Sequence, residues 1–183
     1  SYLYYWDVYE PSWKIAGAKK LQRITYWVND TFDGPDGSEI YPMGGTSFDT
    51  DKTHLLNLHS MIGYFENLKE SPYKLSVRSP KNLQAFTSLP SISISESLDI
   101  FKADRYFHII DNPIMYSEPN AVSFDLDDIK VGLAIYSPSG THKATAYQPA
   151  IQEMMLAQKK FLGESNNTPS YDILLYLMGM DDL

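Results

Sequence analysis

Hydrophobic and polar positions alternate with a period of two where the chain opens. Tyr2, Tyr4, Trp6 and Val8 fall on one side and Leu3, Tyr5 and Asp7 on the other, a strand pattern closed by Pro11. Residues 21–28 (LQRITYWV) are rich in β-formers and predict a second strand. Asp33-Gly-Pro-Asp-Gly and a later Pro-Met-Gly-Gly then mark a long loop reaching about Thr50. Connections of this length without structure of their own are uncommon and tend to carry function. Beyond it the spacing changes to three and four. Leu55, Leu58, Ile62, Phe65 and Leu68 predict a helix capped by Asp51 or Thr53, against which Gly63 weighs about 1 kcal/mol relative to Ala. Ser79-Pro80 predicts a short helix carrying Leu83 and Phe86, and Ser95 or Ser97 starts a short turn through Leu98 and Phe101.

Three further strands are expected at residues 105–110, 121–126 and 129–136, the last with Ile129, Val131, Leu133 and Ile135 on one face. Pro149 in a first turn starts the clearest helix, with Ile151, Met154, Met155, Phe161 and Leu162 on one side and Gly163 ending it. A polar linker, residues 164–168, leads to Pro169 and a final apolar helix, residues 171–178. Strands and helices interleave irregularly, which argues for an α+β fold: a single domain, mostly antiparallel sheet, packed with two to three helices. The domain organisation read from this is a core at residues 1–163, with the linker and C-terminal helix of 164–183 docked on it. That last helix is apolar nearly all round, so its other use is to join copies into a homo-oligomer.

Charge and composition sharpen this picture. The chain of 183 residues carries net charge −8 and is 14% aromatic, with 14 tyrosines. No cysteine is present, which excludes disulfides, thiolate nucleophiles, iron–sulfur clusters and cysteine-based zinc sites. No apolar run approaches the roughly 18 to 20 residues that cross a bilayer, and the acidic, aromatic start does not read as a signal peptide. The expected location is therefore cytoplasmic. Acidity disfavours nucleic acid and anionic membranes as partners. From Ile24 to Asp51 there are six acids (Asp30, Asp33, Asp36, Glu39, Asp49 and Asp51) and no lysine or arginine, a stretch suited to solvated loops or to a basic partner.

Catalytic and metal motifs fail one by one. His54 and His59 stand five apart, so a helix would point them about 140° away from each other, unlike the i, i+4 pair of a zincin. Asn29, Thr31, Asp33 and Gly34 imitate half of a calcium loop, but Ile40 stands where a bidentate Glu is required. Gly45-Thr-Ser47-Phe-Asp49 lacks the final glycine of a nucleophile elbow, and no Gly-rich phosphate loop occurs. Asp125, Asp127 and Asp128 fit a turn between strands. Neither metal nor cofactor is expected.

What remains is the aromatic start, whose rings occupy both faces of one strand and exceed what a single core can take. Tyr2, Tyr4, Tyr5, Trp6, Tyr9 and Trp27, with Asp30, Asp33, Asp36 and Glu39 beside them, are the expected binding residues. The function read from them is a non-enzymatic acidic interaction module: an inhibitor, immunity-type binder or assembly subunit acting by occlusion of a protein partner. The alternative is a hydrolase, for example on glycans, using scattered carboxylates and a histidine, with Trp6, Trp13 and Trp27 as sugar platforms.

Overall fold

The computed structural model describes residues 4–7, 12–32, 44–79, 82–94, 98–163 and 168–177. The fold is α+β in a single domain, with mostly antiparallel sheets and three helices, one of them long. β1 (Tyr4–Asp7) and β2 (Ser12–Ile15) form an antiparallel hairpin that sets Trp6 opposite Trp13. A four-stranded sheet follows the order β3 (Ser47–Asp49), β4 (Thr53–Leu56), β9 (Ile114–Ser117), β6 (Gln84–Phe86). A three-stranded sheet runs β5 (Tyr73–Val77), β8 (Asp99–Ala103), β7 (Ser91–Ile94). Both contribute to one apolar core. Leu56 from β4, Phe101 from β8 and Ile114 and Tyr116 from β9 meet Leu58 of the short α1 (Leu58–Met61) and Ile109 of α2 (Tyr106–Ile110).

That core encloses a carboxylate. Asp99 is 2% exposed and its Oδ2 accepts hydrogen bonds from the Tyr116 hydroxyl at 2.7 Å and from Ser79 at 3.4 Å. Burial, reinforced by the bond to Asp99, pushes the Tyr116 phenol far above its ordinary value.

The third sheet is ordered β10 (Ala121–Leu126), β11 (Ile129–Tyr136), β12 (Ser170–Tyr176). Asp127 and Asp128 make the hairpin turn between β10 and β11, with Asp127 at φ 54°, a conformation Asp tolerates better than most residues. β11 and β12 pair in parallel, which needs a crossover; α3 (Ala144–Leu162) supplies it and packs on the sheet. Val131, Leu133 and Ile135 reach the α3 side, where Met155, Ala144 and Ile151 cover them. Lys159 of α3 holds the hairpin turn through Asp127 at 3.2 Å and Asp128, and the bond to Asp128 raises the Lys159 ammonium above its ordinary range.

Several expected elements take another form. Residues 51–68 are β4, α1 and a 3-10 turn at Glu66–Leu68, because β4 is paired on both sides by β3 and β9 and cannot also wind as a helix. The apolar side chains at three-four spacing are shared among three short elements. Likewise residues 84–86 are strand β6 against β9, residues 99–103 are strand β8, and residues 106–110 are the helix α2 where a strand was expected. Residues 21–30 join no sheet among the described residues. The final helix is also overturned: residues 170–176 are the edge strand β12, because the free edge of β11 offers seven residues of parallel pairing. With that helix goes the proposed route to a homo-oligomer through it. α3 starts earlier than expected, at Ala144, and holds Pro149 inside it; Gly163 ends it at φ 96°. Among the described residues, no helix is long and apolar enough to cross a membrane.

Candidate functional site

Of the expected binding residues, the structure describes Tyr4, Trp27 and Asp30, and the backbone of Tyr5 and Trp6. Tyr4 lies exposed on β1, its ring edge-on to Trp13 at 5.6 Å between centroids. Tyr5 and Trp6 pair through their backbone with Lys14 and Trp13. Tyr2, Tyr9, Asp33, Asp36 and Glu39 lie outside the described residues. Trp27 is 95% exposed on the extended stretch after β2, whereas its neighbour Tyr26 is anchored by a bond to the Met61 carbonyl at 2.6 Å.

Asp30 has an internal task. Its two carboxylate oxygens accept the backbone N–H groups of Phe32 at 2.7 Å and Phe48 at 2.6 Å, tying the stretch to β3. Thr31 and Thr46 exchange further bonds beside it, the Thr46 N–H donating to Thr31 Oγ1 at 2.9 Å. Gly45 is required there, since a Cβ would stand 1.7 Å from Thr31 Oγ1. A half-buried carboxylate bonded twice to backbone is a strong local organiser.

Concave surface occurs among the described residues. One such region is a cleft of about 380 Å³ between β6 and the face of the third sheet turned away from α3. Lys130, Gly132 and Ala134 of β11 and Asp172 and Leu174 of β12 line one wall; Ala85, Phe86 and Thr87 line the other. Asp172 crosses the cleft to accept the Ser88 hydroxyl at 2.7 Å. Its carboxylate lies over Gly132, where a Cβ would come 2.0 Å from Oδ1. At the other end Tyr176 bonds Ser47 at 3.1 Å and meets the Phe32 ring edge-on at 5.7 Å. These contacts fix the third sheet against the four-stranded one.

Another is a pocket of about 360 Å³ bordered by Tyr64, Tyr106 and Phe107, with Lys69, Glu70 and Arg105 at its rim. Sequence reading missed it. The spacing of Phe65 and Leu68 next to Tyr64 predicts a helix face and the pattern of residues 105–110 a strand, so no local pattern places residue 64 against residue 106. The one available signal was the aromatic density itself, Tyr64-Phe65 and Tyr106-Phe107 in two nearby-charged segments.

Among the described residues no group of three or more His, Asp or Glu is placed to hold a metal ion. His54 sits half-buried against Phe48, its Nδ1 without a hydrogen-bond partner. Burial lowers its pKa below the ordinary histidine value, against the opposing pull of Asp49 and Asp51.

Comparison with known proteins gives the wider frame. Residues 7–118 match the family described as Peptidase M61 N-terminal domain. The fold is similar to the crystal structure of an aminopeptidase N family protein from Idiomarina loihiensis, with TM-score 0.61 and 20% identity. That likeness covers 73% of this chain and 23% of the other, so the chain spans less than a quarter of the length of that structure. No curated protein matches the sequence. The family match overturns the expectation of a non-enzymatic interaction module acting as an inhibitor, immunity-type binder or assembly subunit, because the matched family is described as the N-terminal domain of a peptidase.

Proposed function

The chain belongs to the Peptidase M61 N-terminal domain family, and on that premise we propose that it serves as the non-catalytic N-terminal part of a peptidase whose reacting groups lie in other polypeptide sequence. The match over residues 7–118 carries this reading. The β10–β12 sheet and α3, which follow the matched region, are the surface on which the remainder of such an enzyme would rest. Phe161 and Leu162 at the end of α3 are 89% and 80% exposed, and Tyr171 on the edge strand is also exposed. An apolar group of this kind on a helix end and a sheet edge suits coverage by further structure. The cysteine-free composition supports a cytoplasmic setting within the same proposal.

The test is peptide hydrolysis, read by mass spectrometry on a mixture of short peptides. The chain alone should leave the mixture intact, whereas a longer polypeptide containing it should cleave. In that longer protein Phe161→Asp with Leu162→Asp should lower activity while the chain itself keeps its fold. Cleavage by the isolated chain at a comparable rate, or full activity of the longer protein after deletion of residues 7–118, would reject the reading.

A further inference from the structure

The pocket between the 3-10 turn at Glu66–Leu68 and the start of α2 has a chemistry that the peptidase-associated reading does not use. Its aromatic wall is fixed in place. The Tyr106 hydroxyl donates to the Ile62 carbonyl at 2.5 Å, and the Tyr106 ring lies 4.7 Å from Tyr64 and 5.9 Å from Tyr73 between centroids. The Tyr106 N–H is bonded to the Lys69 carbonyl at 2.8 Å, joining the two segments that form the pocket. Phe107 lies on the surface at the edge of the pocket, 54% exposed. Rings held this way are preorganised for another flat apolar group.

The rim carries two cations. Lys69 Nζ stands 4.3 Å from the Tyr64 ring centroid, and the Arg105 guanidinium stands 5.4 Å from that of Phe107. Each cation has a carboxylate partner that is itself in solvent. Glu66 holds Lys69 at 3.1 Å and Glu70 holds Arg105 at 3.6 Å, both acids 77% exposed. Exposed pairs of this kind contribute little, so an incoming carboxylate can replace one of them at small cost. A guanidinium, with its planar fork of donors, suits a carboxylate best.

We propose that this pocket binds an aromatic carboxylate, the free carboxyl end of a peptide finishing in an aromatic residue, with its ring against the wall formed by Tyr64, Tyr106 and Phe107 and its carboxylate on Arg105 and Lys69. A volume of about 360 Å³ accommodates one such residue. The pocket lies within residues 64–110, apart from the cleft beneath the third sheet.

The experiment is a titration of the whole 183-residue chain, labelled with nitrogen-15, with N-acetyl-L-phenylalanine, its amide and N-acetylglycine. The acid should give saturable amide shifts at Lys69, Glu70 and residues 106–110, with a Kd on the order of 1 mM. The amide, lacking the charge, and N-acetylglycine, lacking the ring, should each bind about tenfold more weakly. Arg105→Gln should erase the preference of acid over amide, and Phe107→Ala should weaken both. Both positions are largely exposed, so the fold is retained; should Phe107→Ala unfold, the Arg105→Gln comparison decides alone. Absence of saturable shifts up to about 20 mM, equal binding of acid and amide, or shifts confined to other residues would overturn the proposal.

Discussion

The two halves of this molecule are stabilised in different ways. The sheets built from residues 47–117 have strands of three to five residues, and their pairings join distant positions, as where β4 at residues 53–56 lies against β9 at 114–117. They share one large apolar core and bury Asp99 inside it. β10, β11, α3 and β12 instead form a local hairpin followed by one crossover, with two smaller apolar clusters under the long helix. Loop closure makes remote pairing costly before contacts repay it, so the first region depends on its shared core and the second on local ladders. Stability in the first is therefore concentrated in a few central side chains; in the second it is spread along a strand and a helix.

Core truncation tests that contrast most severely. Phe101→Ala, at a position 1% exposed, should cost about 3–5 kcal/mol, and Leu133→Ala about 2–5 kcal/mol. Because Ser88–Asp172 and Ser47–Tyr176 join the halves, urea should show one transition in both variants, with the larger shift in Phe101→Ala. A Leu133→Ala variant that melts in two steps would divide the molecule into independent units. At the junction itself, Gly132→Ala should cost about 1–3 kcal/mol, since the Asp172 carboxylate must leave its place. Adding Asp172→Ala should recover part of that loss in a calorimetric scan; no recovery would mean the strand, rather than the carboxylate, resists the extra methyl.

The smallest effect is a pH dependence belonging to the first half alone. Burial lowers the folded-state pKa of His54 below its ordinary 6.5. The unfolded chain then holds this proton more tightly, so its uptake favours unfolding. The contribution is fully present above about pH 6.5 and is lost as the pH falls through that value toward the lowered one. A His54→Asn variant should show a smaller drop in melting temperature than the parent between about pH 7.5 and about pH 5.5. An equal drop in both would assign the dependence to other groups.

How much of this was legible in the sequence follows the same division. β10 and β11 fall at the expected residues, Ala121–Leu126 and Ile129–Tyr136, because a long alternating strand with its partner two residues away encodes both period and pairing. The end of α3 at Gly163 was equally readable. In the first half the pattern at Leu55, Leu58, Ile62, Phe65 and Leu68 has helical spacing, yet pairing of β4 with two remote strands overrides it. β12 shows the same override, an apolar run whose form is set by the open edge of β11. Aromatic and acidic density along the chain speaks to composition and not to placement. Asp30 was read as part of an outward acidic surface, whereas its oxygens are used by two backbone amides. The Tyr64–Tyr106 pocket needed contact between segments about forty residues apart, which no local pattern records.

The glycine under Asp172 also decides which alignment of β11 and β12 is allowed. Parallel strands with apolar side chains at every second position can slide by two residues and still present the same face. Such a slip would bring Asp172 opposite Ala134 or Lys130 in place of Gly132. Against Ala134 the carboxylate meets a buried methyl, and in either shift it moves a strand step away from Ser88. One missing side chain and one carboxylate thus act as a key that admits a single alignment of the last strand.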